Sequence, residues 1–438
     1  MKFYKHIFTA RIPEELFWII LYYLPFHAFL TTWAIASAGH SLILKGVKDV
    51  VVALLLAYCL ILALITKPKS LKTMLLKPVN IAIVLYVLLS LLYFALSPVA
   101  QTARVYALII NTRFLLFFIT AQLIVLLAKF TKQQFESKLR TYAVVTVGAT
   151  SLIGLLQLRA PETLMEHFGY GPNTISPVFT LDSQTDVRRA ASTLRGPNPF
   201  GTFLVLGISL LGGFFTKART QVWRITVGAS FALGLLALYF TYSRSAWVAL
   251  IVTIVVCVGL LFAKFNKRLL LLLAAVLVIG SLGASLSVQK SAYLQRTLLH
   301  RDQRNLSKIA KSDEIHLSSI QIALTRVKEK PLGCYLGCSG PATYYNPALP
   351  VNLPENYYLQ IAQEVGIPGL LVLLSIFALV AYELLKLRSS LVPAIILASF
   401  IGISISGLFL HVWTDDTIAY VWWGIAGVVV AVYGQPQK

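Results

Sequence analysis

Charge is scarce in this sequence. Only 13% of its 438 residues are Asp, Glu, Lys or Arg, against roughly 25% in soluble domains. That excludes an ordinary soluble domain, and 57% hydrophobic residues with a mean hydropathy of +0.76 say the same. Acids are scarcer than bases, 17 against 38, which leaves a net charge of +21. The bases are scattered over connections between apolar runs, so they point to anionic lipid head groups and phosphate-bearing lipids and not to nucleic acid. Internal repeats, low-complexity tracts and Gly/Ser linkers are absent from the sequence, and the chain reads as one integral domain, 1–438, with loop elaborations. There are four cysteines. Cys59 and Cys257 fall inside apolar runs, where a thiol behaves as a small hydrophobe. Cys334 and Cys338 share a polar loop, and both a disulfide and, with weaker support, a metal pair are open there. No cleavable signal peptide is expected, because the first apolar run is long and carries Trp18, Tyr22, Tyr23, Pro25 and His27 in place of a short apolar core.

What is present is a succession of apolar runs long enough to cross a hydrocarbon core of roughly 30 Å as helices. The expected fold is all-α and polytopic, with about twelve spans. These are Leu16 to Ala36, Val47 to Ile65, Pro78 to Leu96, Val105 to Ala128, Tyr142 to Leu158 and Phe200 to Phe215. Ile225 to Phe240, Ala246 to Phe262, Leu269 to Leu286, Ile367 to Leu385, Leu391 to Leu410 and Ile418 to Val432 follow. Lys and Arg concentrate in one set of connections, including Lys67 to Lys77 and Lys129 to Arg140, and basic residues near span ends stay in the cytoplasm. Both termini are therefore expected inside. Two long loops, 159–199 and 287–366, are expected outside, the second between helices nine and ten. All acids except Glu14, Glu15, Glu136 and Glu383 fall at or near that outer face.

Six constellations carry chemistry, five at that face and one deeper. Arg188, Arg189 and Arg195 precede the turn Gly196-Pro197-Asn198-Pro199 that opens a span; arginine's planar fork grips phosphate oxygens, and lipid head groups would also engage it. Arg244 sits on the tight turn Thr241 to Ser245, either as an interfacial anchor or as a second positive charge for the same anion. Arg113 lies deep in the fourth span, where an ionisable group marks a functional site or pairs with an acid such as Asp49. The last long loop holds an amphipathic segment, Ile315 to Gly333, with Arg326, Lys328 and Lys330, expected to lie along the interface. Beyond it, Pro354 to Leu370 reads PENYYLQIAQEVGIPGL and sets Glu355 beside Asn356, Tyr357 and Tyr358 where loop meets span. His411, Asp415 and Asp416 form the last outer turn.

In this order the pieces resemble the O-antigen ligase and polymerase family, polytopic bacterial enzymes that use undecaprenyl-pyrophosphate-linked glycans. The resemblance rests on PNPFGTFL after an arginine, the YSRSAW hairpin, KEKPLGCYLG and NYYLQIAQEVGIPGL, and covers about Arg188 to Leu385. It implies a GT-C-type glycosyltransferase of the bacterial inner membrane that transfers with inversion, without metal or cofactor. The implied donor is an undecaprenyl-pyrophosphate glycan and the implied acceptor a glycan or lipid hydroxyl. Arg188, Arg189, Arg195, Asn198, Arg244 and Arg113 would hold the pyrophosphate, Arg244 also stabilising the growing charge, while Asn356, Tyr357 and Tyr358 position sugars or the base and Arg326, His411 and Asp415 contact substrate. Many members carry a histidine directly before the asparagine of the NYYL segment; here that place is Glu355. The resemblance implies a base at this position, a task open to a carboxylate in low-dielectric surroundings. A multi-span transporter or flippase is the alternative. The long loops after spans five and nine do not divide the chain six plus six, and paired broken helices in matching halves are not evident.

Overall fold

A computed structural model describes residues 11–435 except 40, 129, 173, 182–186, 263–305 and 349. The helices run α1 (Arg11–Tyr23), α2 (His27–Ala38), α3 (Ser41–Thr66), α4 (Pro68–Leu75), α5 (Pro78–Leu96), α6 (Gln101–Ala128) and α7 (Lys132–Gln157). Next come α8 (Glu162–His167), α9 (Pro197–Lys217), α10 (Gln221–Thr241), α11 (Arg244–Phe262) and α12 (Leu306–Glu329). The chain closes with α13 (Tyr357–Lys386), α14 (Leu391–Ser406) and α15 (Asp416–Tyr433). Among the described residues the one strand-like feature is an isolated bridge between Thr180 and Arg188. Ten of the described helical stretches are long and apolar enough to cross a membrane, with α1 and α2 counting as one through the turn Leu24–Phe26. Large apolar side chains such as Leu54, Ile65, Leu88 and Val222 point outward, as helices facing lipid require. The protein is a polytopic integral membrane protein.

Three expected spans, from Tyr142, Leu391 and Ile367, have other bounds, the first beginning at Lys132. Leu391 to Leu410 is the shorter helix α14, which ends at Ser406 and gives way to a turn. Leu269 to Leu286 lies outside the described residues. The span expected from Ile367 begins earlier, at Tyr357, so most of the PENYYL segment is helix rather than loop. The amphipathic segment is the helix α12.

The chain divides into two compact units. The first comprises residues 1–142, 322–387 and 407–438. Its centre is α6 against α15: Phe117 meets Tyr420 edge-on at 5.3 Å, and Phe114 and Phe118 meet Trp423 at 5.1 and 5.8 Å. The helices approach closely because Gly427 has no side chain; a Cβ there would lie 2.5 Å from the Phe118 carbonyl oxygen, the small-residue packing that membrane bundles favour. The second unit comprises 143–321 and 388–406. There α11 and α14 approach through Gly402, whose Cβ would stand 2.4 Å from the Ala249 carbonyl oxygen.

The backbone of α13 is broken once. Gly366 takes φ 71° and ψ 177° inside the helix and splits it into an outer half, Tyr357 to Val365, and the remainder. The Pro331-Leu332-Gly333 turn fills the break, with Ile367 N donating to Pro331 O at 2.8 Å. A Cβ on Gly366 would fall 2.6 Å from the Leu332 carbonyl carbon, and this region of φ/ψ is nearly glycine-only. Gly366→Ala should therefore cost roughly 1–3 kcal/mol of stability; an unchanged thermal unfolding midpoint in detergent would contradict the strain argument.

Candidate functional site

In the second unit, the chain before α9 folds back on itself: Leu181 N donates to Val187 O (2.9 Å) and Arg189 N to Phe179 O (2.8 Å). Ala190 N donates to Phe240 O (2.8 Å), which ties this segment to the end of α10. The tie directs Arg189 to the hairpin, where its Nε donates to Thr241 O at 2.8 Å and a terminal nitrogen to Asn198 Oδ1 at 3.0 Å. Arg244 opens α11 just past Tyr242, a residue in the left-handed region at φ 50°. Burial, and then the positive charge of Arg244, press the Arg189 guanidinium down to about 10, still protonated at neutral pH. The fold thus gathers Arg189, Asn198 and Arg244 into one positive station, which an anion would stabilise. Arg188 turns elsewhere: it donates to Ala160 O and lies 3.9 Å from Glu162. Arg195 is exposed.

In the first unit, the outer half of α13 is held at both ends. Asn356 caps it, accepting from Leu359 N (2.9 Å), and donates through Nδ2 to Leu408 O (3.0 Å). Tyr357 N donates to Gly407 O (2.9 Å), so the helix start is docked on the turn that precedes α15. Both amide groups of Asn356 serve this docking. Glu355, half-buried, is presented directly before the cap. Tyr357 is buried, and half-buried Tyr358 meets it edge-on.

At the inner end of this half-helix stands Glu364, fully buried. Asn111 Nδ2 donates to its Oε2 at 2.7 Å and Gly337 N to its Oε1 at 2.9 Å. Gly337 lies in the ring closed by a Cys334–Cys338 disulfide, and Cys334 N donates to Gln363 O at 2.7 Å. Of the two options left open for these cysteines, the structure has the disulfide. On the turn before α15, His411 Nδ1 pairs with Gln360 Oε1 at 2.7 Å, and burial pushes the imidazole down to about 4. Asp415 caps α15, accepting from Thr417 N (3.0 Å) and Ile418 N (3.3 Å). Arg326 is exposed on α12.

A buried ionic cluster joins four helices of the same unit. Asp416 accepts from Lys48 Nζ and pairs with His27 Nε2, each at 3.1 Å, and meets Arg113. Asp49 takes Lys48 (3.1 Å), Arg113 (3.3 Å) and the Tyr420 hydroxyl (2.7 Å). Arg113 also donates to Thr414 O at 2.7 Å. Of the readings open for Arg113, pairing with Asp49 is what the structure shows, joined by Asp416. Two cations balance two carboxylates. Along the sequence Lys48 is no more than a loop base, and neither Gln360 nor Glu364 stands out as a site residue. The available signal is an acid four residues after a glutamine on one face of an otherwise apolar helix.

Among the described residues, no group of three or more His, Cys, Asp or Glu is gathered as a metal-binding set. Residues 229–374 match the family Wzy_C, O-Antigen ligase. Over that stretch the chain is similar to O-antigen ligases. No curated protein matches it. The O-antigen ligase stretch contains Arg244, Arg326, Glu355, Asn356, Tyr357 and Tyr358, together with the broken helix and the disulfide ring. Arg113, Arg188, Arg189, Arg195, Asn198, His411 and Asp415 lie outside it. The resemblance read from the loose motifs is borne out, and with it a membrane protein of the glycan-transferring ligase or polymerase kind.

Proposed function

We propose that the protein is a GT-C-type glycosyltransferase of the bacterial inner membrane. It moves a glycan from an undecaprenyl-pyrophosphate carrier to an acceptor hydroxyl on the outer face, with inversion and without metal. Both termini are cytoplasmic, and the long loop lies between the ninth and tenth of the twelve expected spans. The O-antigen ligase match carries this reading, because it takes in both Arg244 and Glu355. The acceptor oxygen forms its bond to the anomeric carbon as the carbon–oxygen bond to the diphosphate breaks. Glu355 takes the hydroxyl proton, and the departing lipid diphosphate keeps the bonding electron pair. Arg189 and Arg244 stabilise the charge growing on that diphosphate, with exposed Arg195 guiding it, while Arg188, turned to Ala160 and Glu162, is left out of the site. Tyr358 faces the sugars, with buried Tyr357 packed behind it.

The test supplies purified protein in detergent with a lipid-diphosphate glycan, candidate acceptors and EDTA, and follows product by gel shift. Product in EDTA is the expected result. Absence of product with every acceptor, together with movement of the lipid-linked glycan across vesicles, would replace this reading with that of a flippase. Arg244→Ala should weaken donor binding about ten-fold or more, the loss of one charge-assisted contact; an unchanged Kd would remove Arg244 from the diphosphate site.

A further inference from the structure

The proposed transfer needs its acceptor hydroxyl oriented as well as deprotonated, and Gln360, His411 and Glu364 form a line of side chains that the transfer step leaves unused. Gln360 is fully buried on the outer half of α13. Its amide is wedged against Gly340, where a Cβ would lie 2.3 Å from the amide carbon, so the group has little room to turn. Its Oε1 stands 2.7 Å from His411 Nδ1. Glu364 stands one turn further along the same helix, four residues on and so on the same face, while Gln360 Nε2 makes no hydrogen bond of standard geometry. A carboxylate attracts the N–H side of an amide, and this leaves Oε1 turned to His411.

An amide oxygen only accepts. His411 Nδ1 must therefore carry the hydrogen, and because burial keeps the ring neutral down to about pH 4, Nε2 then carries a lone pair. Nε2 is covered and meets no donor among the described residues. A buried acceptor without a donor is destabilising, a deficit that an entering hydroxyl would remove. The turn bearing His411 is the one on which the start of α13 docks, through Leu408 O and Gly407 O, next to Glu355.

We propose that Gln360, backed by Glu364, is a positioning residue that holds His411 in its Nδ1–H form, so that Nε2 accepts a hydrogen bond from a sugar hydroxyl of the acceptor glycan. This rests on the transfer reading for the identity of the ligand, not for the state of the ring. The first measurement is the side-chain nitrogen spectrum of the full chain labelled with [15N]histidine, with His411 assigned by its loss in His411→Gln. Wild type should show the Nδ1–H form near neutral pH, and Gln360→Leu should return the ring to the Nε2–H form common in water. An Nε2–H ring in the wild type overturns the proposal whether or not the protein transfers glycan.

The second measurement is acceptor kinetics. His411→Ala should raise KM for the acceptor about ten-fold and lower kcat less, while His411→Gln, which places an amide oxygen near the Nε2 position, should recover most of the loss. A KM for the acceptor unchanged in His411→Ala also overturns it. If wild type transfers nothing, the transfer reading falls while the nitrogen spectrum still decides the state of the ring.

Discussion

Glu355→Gln is expected to lower glycan transfer by about 100-fold or more while leaving lipid-diphosphate binding within about two-fold, an approximation that rests on the donor's affinity coming from cations. The substitution is close to isosteric. It keeps an oxygen that accepts hydrogen bonds and removes the capacity to take a proton, so a loss confined to turnover would identify the carboxylate as the base. The geometry suits this task. Glu355 is half-buried at the mouth of a half-helix that is capped by Asn356, docked on residues 407–408 and pinned at its far end by Glu364, so its position is set by a rigid element. Rapid-mixing turnover and equilibrium donor binding on the same preparation would separate the two effects. Full turnover in Glu355→Gln would move the base elsewhere, first to Asp415 or His411, since Asp416 is held in its ion cluster.

The second large effect concerns stability. Asp416→Ala should destabilise the first unit by about 3–5 kcal/mol, the usual cost of breaking a buried ion pair from one side. Asp416 is 2% exposed and faces Lys48, Arg113 and His27 together. Its loss leaves two cations with Asp49 alone, in surroundings too dry to screen them. Thermal unfolding in detergent should show a marked drop in midpoint. Lys48→Met combined with Asp416→Ala should recover part of the loss, since one cation then balances one carboxylate. No drop in the single variant would mean that the cluster is not what holds α3, α6 and α15 in place.

Much of the architecture is legible along the chain. A helix that must satisfy its own backbone in hydrocarbon announces itself as a long apolar run, and ten described stretches are such helices, although those expected from Tyr142 and Ile367 begin earlier, at Lys132 and Tyr357. The run expected from Leu391 extends too far because residues 407–411 are apolar enough to continue it, although the backbone turns there to receive the start of α13. Arginines before a Pro-Asn-Pro turn stand out because charge is so rare in this composition, and Arg189 and Arg244 do share a neighbourhood. Three of the four loose motifs, the YSRSAW hairpin, KEKPLGCYLG and NYYLQIAQEVGIPGL, fall within the stretch 229–374 that matches O-antigen ligases.

The sequence by itself determined the class, the helical spans, the family and the placing of Glu355 at a span boundary, all of which depend on local apolarity and short-range pattern. Tertiary structure alone decided which long-range partners each polar group takes. It separated Arg188 from Arg189, closed Cys334 onto Cys338, drew Arg113 to two acids distant in sequence, and joined Gln360 to His411 across 51 positions. The physical reason is that a buried polar group must find a partner, and which partner lies within about 3 Å is set by helix packing through sites such as Gly427 and Gly366, a quantity that no window of neighbouring residues contains.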